Sequence, residues 1–108
     1  MFDLPAPPDV SDSIRAAVQG VLDGLLGPGE LDDWSIGWEQ GRDGAWQLVV
    51  DVRACGESHR GFVLQWGAGF PVEAGLDVFT DGFEDFISES RFGWGQQREL
   101  RPRPWECA

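Results

Sequence analysis

The chain has 108 residues, which is the length of one domain and enough to bury a hydrophobic core without disulfides or a metal. Its 19 acidic and 8 basic residues give a net charge of −11, so we expect no binding to nucleic acid or to an anionic membrane, because phosphate neutralisation needs clustered Lys or Arg. The start lacks the basic segment followed by an apolar one that marks a signal peptide, and no apolar run approaches the ~20 residues of a membrane span. The two cysteines form no motif. These features predict a cytoplasmic protein with reduced thiols.

Residues 1–9 are rich in proline and predict an extended arm. The segment that follows predicts a first helix, because its apolar residues recur at spacings of three and four and fall on one stripe. These residues are Val10, Ile14, Ala17, Val18, Val21, Leu22, Leu25 and Leu26. Ser11 or Asp9 is the expected N-cap, and Gly27-Pro28 is the expected end.

Three segments of alternating apolar and polar residues follow and predict antiparallel strands with one covered face. The expected covered face carries Trp34, Ile36 and Trp38, then Trp46, Leu48, Val50 and Val52, then Phe62, Leu64 and Trp66. The connections are short and contain Asp43-Gly44 and Gly56, so the strands should pair in chain order as a meander. His59 falls in the second expected connection, where a solvent-exposed turn histidine is the simplest interpretation.

A second helix is predicted from a capping-box pattern at Asp81-Gly82-Phe83-Glu84. Its apolar stripe consists of Phe79, Phe83, Phe86 and Ile87 and extends to about residue 90. The Gly- and Pro-containing stretch before it leaves open a short extra strand around 72–78, and a further alternative places that strand in the C-terminal tail.

The element order predicts an α+β fold over residues 10–95, a two-layer sandwich of helix, three-stranded antiparallel meander and helix. Residues 96–108 form an Arg- and Pro-rich C-terminal tail. Double-stranded RNA-binding domains share this element order, but the chain has no basic loop or Lys-rich helix start, and an acidic second helix would repel phosphate. We therefore expect no nucleic acid as a partner.

The second helix carries an acidic face, which is the most distinctive local feature of the sequence. Its members are Asp77, Asp81, Glu84, Asp85 and Glu89. Like charges four residues apart repel one another, so this face is either a docking surface for a basic protein partner or a solvated surface. The last 18 residues are locally basic through Arg91, Arg98, Arg101 and Arg103, and we expect them to fold back onto the acidic helix, with pairing to a second copy as the alternative.

The tryptophans allow two interpretations. Those on the strands are expected to fill the core, or else to line a pocket for a small molecule. Trp94 and Trp105 lie in Gly- or Pro-rich contexts and are candidate anchors at an interface. A calcium loop starting at Asp77 would place Phe79 and Ser88 at ligand positions, and one His with two distant Cys makes no zinc set, so no metal or cofactor is expected.

No motif identifies a reaction, so we expect a non-enzymatic, acidic protein-binding domain. An immunity or inhibitor protein that neutralises a basic toxin or nuclease fits the small size and the negative charge. The alternatives are a small-molecule binding domain with a Trp-lined pocket and an accessory subunit of a larger assembly. The sequence leaves the oligomeric state open.

Overall fold

The computed structural model describes residues 9–67, 71–91, 93–96, 98–100, 103 and 105. It contains helix α1 (Asp12–Leu25), strands β1 (Leu31–Gln40), β2 (Trp46–Ala54) and β3 (Glu57–Gln65), and helix α2 (Val72–Glu89). The three strands form one antiparallel sheet in the order β1-β2-β3. The predicted α+β fold, a helix followed by a three-stranded meander and a second helix, is therefore confirmed. Of the predicted arm, only Asp9 lies within the described residues.

Helix α1 begins where the sequence predicts. Ser11 is the N-cap, and its hydroxyl accepts a hydrogen bond from the backbone N–H of Ile14 at 3.2 Å. The buried residues of the helix recur at the predicted spacings and form a single stripe, which consists of Val18, Val21, Leu22 and Leu25.

Both helices cover the same face of the sheet. One buried cluster contains the stripe of α1, the inward residues of α2 and alternate residues of the central strand: Leu48, Val50 and Val52. Trp34 and Trp38 on β1 pack against this cluster, and the indole N–H of Trp34 donates to Gln19 of α1 at 3.0 Å. The opposite face of the sheet has no helix against it among the described residues, so we call it the open face.

The prediction for the inward face of β3 is wrong at Phe62. The β2–β3 register shifts between Leu48 and Val49, so that Leu48 pairs with Leu64 while Val49 pairs with Phe62. Val63 is the extra residue of this bulge and is buried beneath α2. Phe62 therefore lies on the open face and is 52% exposed.

The predicted extra strand around 72–78 is also wrong, because this stretch is the first half of α2. The helix begins nine residues before the capping-box pattern at Asp81, directly after Pro71, whose side chain supplies no capping hydrogen bond. Its buried residues form one continuous helical stripe made of Leu76, Phe79, Thr80, Phe83 and Ile87. The free energy gained by burying that stripe is larger than the stabilisation that a capping side chain at the start would add. None of the tail residues that the structure describes lies in a strand.

Candidate functional site

The acidic face of α2 is divided into two parts by the chain's own tail. Asp77, Asp81 and Glu84 converge on Arg103, and we call these three residues the closed part of the acidic face. One guanidinium nitrogen of Arg103 lies 2.7 Å from Asp77 Oδ1, and the other lies 2.6 Å from Asp81 Oδ1 and 3.5 Å from Glu84 Oε1. The predicted return of the tail onto the acidic helix is present in the structure.

Arg103 is almost fully enclosed, with its side chain 4% exposed. Burial acts to lower the pKa of its guanidinium, but hydrogen bonds to Asp81 and Asp77 hold that pKa above its ordinary value. Its Nε atom is buried and has no hydrogen-bond partner among the described residues. The two terminal nitrogens of the guanidinium are therefore held by carboxylates, whereas Nε is unsatisfied as far as the described residues go.

Two further tail residues fix the tail across both helices. The backbone N–H of Leu100 donates to Glu84 at 2.8 Å, while its side chain fills the space beside Gly24 of α1. The indole N–H of Trp105 donates to Asp77 at 3.0 Å. Trp105, predicted as an exposed anchor, is instead half-buried against the core.

Arg98, near the beginning of the tail, forms hydrogen bonds to the end of α1 and to the loop that follows it. One of its nitrogens donates to the backbone carbonyl of Leu25 at 3.0 Å, and another donates to Glu30 at 3.1 Å. The hydrogen bond from Arg98 is the main reason that the pKa of Glu30 is lowered. A cation beside the last carbonyls of a helix also complements the helix dipole.

The second part of the acidic face comprises Asp85 and Glu89, which we call the open part. Both side chains are exposed, and neither forms an ion pair with any residue that the structure describes. They lie four residues apart on the outward side of α2, one turn beyond the carboxylates that Arg103 holds. The C-terminal half of this helix therefore presents two exposed carboxylates that form no ion pair with the described residues.

Trp94 follows Glu89, the last residue of α2, by five residues and is 77% exposed. It occupies a tight turn in which the N–H of Gln96 donates to the carbonyl of Gly93 at 2.8 Å. The φ of +75° at Gly95 is that of the third residue of a type II turn. The N–H of Gly95 also donates to the carbonyl of Ser88 at 3.3 Å, which fastens the turn to the last turn of α2.

Gly93 allows this turn to lie directly on the helix. A Cβ at this position would come within 2.5 Å of the carbonyl oxygen of Ile87, so only glycine fits without displacing the backbone. The structure thus places the ring of Trp94 on a fixed support in solvent, as an interface anchor requires.

His59 is not in a turn, as the sequence suggested, but within β3 and beneath α2. Its ring stacks on Phe86 at a centroid distance of 4.9 Å and lies 5.6 Å from Phe83. Burial lowers its pKa, and Nε2 has no hydrogen-bond partner among the described residues. His59, Gly61 and Val63 occupy every second position of β3 and face α2. This spacing is the sequence signal that could have placed His59 on the covered side.

The open face of the sheet carries a polar concavity of about 320 Å³. Its polar lining side chains come from all three strands and include Asp33, Ser35, Asp51, Arg53, Ser58 and Arg60. Arg60 spans the sheet, because it donates to Asp51 at 2.9 Å and to Glu39 at 2.8 Å. Trp34 is the one tryptophan in this lining, so the concavity is not the Trp-lined pocket that the sequence allowed.

Within the described part of the chain, no group of three or more His, Cys, Asp or Glu side chains is arranged to hold a metal ion. None of the helices formed by these residues is long and apolar enough to cross a membrane. Comparison with known proteins finds no matching family model, no matching curated protein and no matching solved structure.

Proposed function

We propose that this chain is a non-enzymatic protein-binding domain that engages a basic protein through Trp94 and the open part of the acidic face. The observation that carries the proposal is the exposure of Trp94 on a turn bonded to the last turn of α2, a helix whose Asp85 and Glu89 are exposed and form no ion pair with the described residues. The last two turns of α2 and the turn that follows thus supply an exposed aromatic side chain and carboxylates outside any ion pair with the described residues.

The two components have different physical roles in binding. Trp is enriched among the residues that dominate interface energies, because a rigid ring buries a large area at a small entropic cost. Its fixed turn lowers that cost further, since no loop has to be ordered on association. The carboxylates of Asp85 and Glu89, in a chain with a net charge of −11, steer a basic partner and accelerate encounter.

An immunity or inhibitor protein that neutralises a basic toxin or nuclease in the cytoplasm is the specific form of this function that we favour. Such a protein needs a preformed surface of opposite charge and no catalytic group of its own. The single histidine supports this view, because it is enclosed by phenylalanines and its lowered pKa keeps it neutral at pH 7.

The test begins with capture of a partner from a lysate of the source organism in 50 mM salt, followed by purification of the captured protein. Its affinity is then measured for the wild type, for Trp94→Ala and for the pair Asp85→Asn with Glu89→Gln. We expect Trp94→Ala to weaken binding by about 30-fold, which corresponds to about 2 kcal/mol for an interface anchor.

The charge variant should slow association in 50 mM salt and approach the wild type in 500 mM salt, because screening removes the steering effect. The matched control is Asp12→Asn with Asp23→Asn on α1, which removes the same charge from exposed positions elsewhere. Affinities that are unchanged by Trp94→Ala, or equal losses in the control and in the charge variant, would reject the proposal.

A further inference from the structure

We infer that Arg103 and Trp105 of the tail occupy part of the binding site for the partner. We call this part, formed by Asp77, Asp81 and Glu84, the seat. A partner segment with an arginine two residues before a tryptophan displaces the tail from it. This inference rests on the proposed function and adds the chemistry of the partner. It also explains why three carboxylates of an acidic docking helix already contact a guanidinium of the same chain. The closed part is then a second, latent portion of the same interface.

The seat binds a guanidinium and an indole N–H at the same time. Two nitrogens of Arg103 reach separate carboxylates, Asp77 and Asp81, so the planar fork is matched at two points. Asp77 also accepts the indole N–H of Trp105, which couples the two tail residues through one carboxylate. An acidic surface without such a seat would be neutralised equally well by any cation.

Binding in the seat leaves a cost on the tail that a partner segment would avoid if it supplied its own acceptor for the arginine Nε. The buried Nε of Arg103 has no partner among the described residues, and an unsatisfied buried donor costs about 1–3 kcal/mol. Asp81 is 64% exposed and can be reached from solvent while the tail is in place. A partner segment that pairs all of its donors would therefore compete well with the tail, although the tail is permanently attached.

Two prolines restrict the backbone around Arg103. Pro102 and Pro104 stand on either side of it, and a residue that precedes proline is restricted to extended backbone. Arg103 and Trp105 lie two residues apart, Trp105 lies in a turn, and both side chains contact Asp77. A separate peptide of the same sequence consequently loses little conformational freedom on binding.

The direct test uses the full chain and a fluorescent peptide with the sequence of residues 98–105, monitored by fluorescence anisotropy. In the wild type the attached tail competes with the peptide at an effective concentration in the millimolar range. Arg103→Ala in the full chain empties the seat, so this variant should bind the peptide at least about tenfold more tightly than the wild type does. A peptide with Lys in place of Arg103 should lose most of this binding, because an ammonium lacks the fork.

Trp105→Ala is the second seat-opening variant, because it removes the indole from Asp77 and retains the guanidinium. It should raise peptide affinity in the same direction by a smaller factor, and circular dichroism of both variants reports whether the fold is retained. Equal peptide affinity in the wild type and in both variants, or no binding to either variant, would overturn the inference. A concentration-dependent dimer of the wild type that disappears in Arg103→Ala would overturn it in favour of tail exchange between copies.

Trp94→Ala separates this test from that of the proposed function. The variant leaves the seat of Arg103 untouched, so its affinity for the peptide should equal that of the wild type. If Trp94→Ala weakens the captured partner while the peptide binds no variant, the proposed function stands and the latent seat is rejected.

Discussion

Strand β3 presents two contrasting sides: His59, Gly61 and Val63 lie against α2, whereas Ser58, Arg60 and Phe62 lie on the open face. On the helix side, contacts are close and the Nε2 atom of His59 is buried. On the open side, charged groups keep much of their hydration. The same strand should therefore tolerate changes very differently on its two sides.

The closest contact of the covered side joins α2 to β3 without any side chain from the helix. A Cβ built on Gly75 would lie 1.6 Å from the carbonyl oxygen of Val63 and 2.7 Å from its carbonyl carbon. Both atoms belong to the backbone of β3, so a rotamer change cannot relieve the clash. Gly75 sets the distance between the second helix and the sheet.

Gly75→Ala should therefore have the largest effect. The helix would have to move away from β3, and overpacking of this kind should lower the free energy of unfolding by about 3 kcal/mol. The matched control is Gly82→Ala on the same helix, where a Cβ meets nothing within 4 Å. That control should raise stability by up to about 1 kcal/mol, because alanine is the better helix former.

Urea denaturation of the two variants measures both effects, with the midpoint and the slope compared with those of the wild type. If Gly75→Ala were as stable as Gly82→Ala, the close approach of α2 to β3 would be wrong. The difference between the variants tests helix position rather than helix propensity, since both replace glycine by alanine within α2.

The sequence predicted the elements whose signals are local. The spacing of Val18, Val21 and Leu25 with the Ser11 cap defined α1, and the alternation in β1 and β2 defined the covered face. The first half of α2 was missed because its signals are not local. Val72 and Val78 favour strands and no side chain caps the start, so the helix depends on burial of Leu76 and Phe79.

The bulge in β3 and the division of the acidic face were also beyond a pattern-based prediction. Nothing in the alternation of residues 62–66 marks Val63 as an extra residue, because the register is set by pairing with β2 and by contact with α2. Charge balance predicted that the tail returns to the acidic helix. It could not identify Arg103 as the residue held there, since that depends on where the tail crosses both helices.

His59 provides a test of the covered side through pH. Burial lowers the pKa of this imidazole in the folded protein, whereas in the unfolded chain it titrates near its ordinary value of about 6.5. Below that value the unfolded state binds a proton that the folded state does not, so stability falls as the pH decreases. The slope is at most about 1.4 kcal/mol per pH unit for one proton.

His59→Phe should remove this dependence between pH 7 and pH 5.5, where carboxylates contribute little. The new ring would join Phe79, Phe83 and Phe86, which already surround the site, so the variant should fold. The free energy of unfolding of the wild type and the variant is measured across this range. Parallel curves would show that the histidine is not enclosed as the structure has it.

Arg60 on the open face should give the smallest effect, although it makes the most extended ion network of the sheet. Its side chain and its partners Glu39 and Asp51 are each about half exposed, at 51%, 55% and 49%. Water and salt screen such pairs, and holding long side chains in place opposes the Coulomb gain. Arg60→Ala should therefore lower the denaturation midpoint much less than Gly75→Ala does.

Raising the salt concentration sharpens this last comparison. The difference between Arg60→Ala and the wild type should shrink toward zero in 500 mM salt, whereas the loss in Gly75→Ala should persist because steric overlap is not screened. A salt-independent loss in Arg60→Ala would mean that the stem of the arginine stabilises the sheet by packing over Val49, which is buried on this otherwise exposed face. The contrast between the two sides of β3 would then be one of degree rather than of kind.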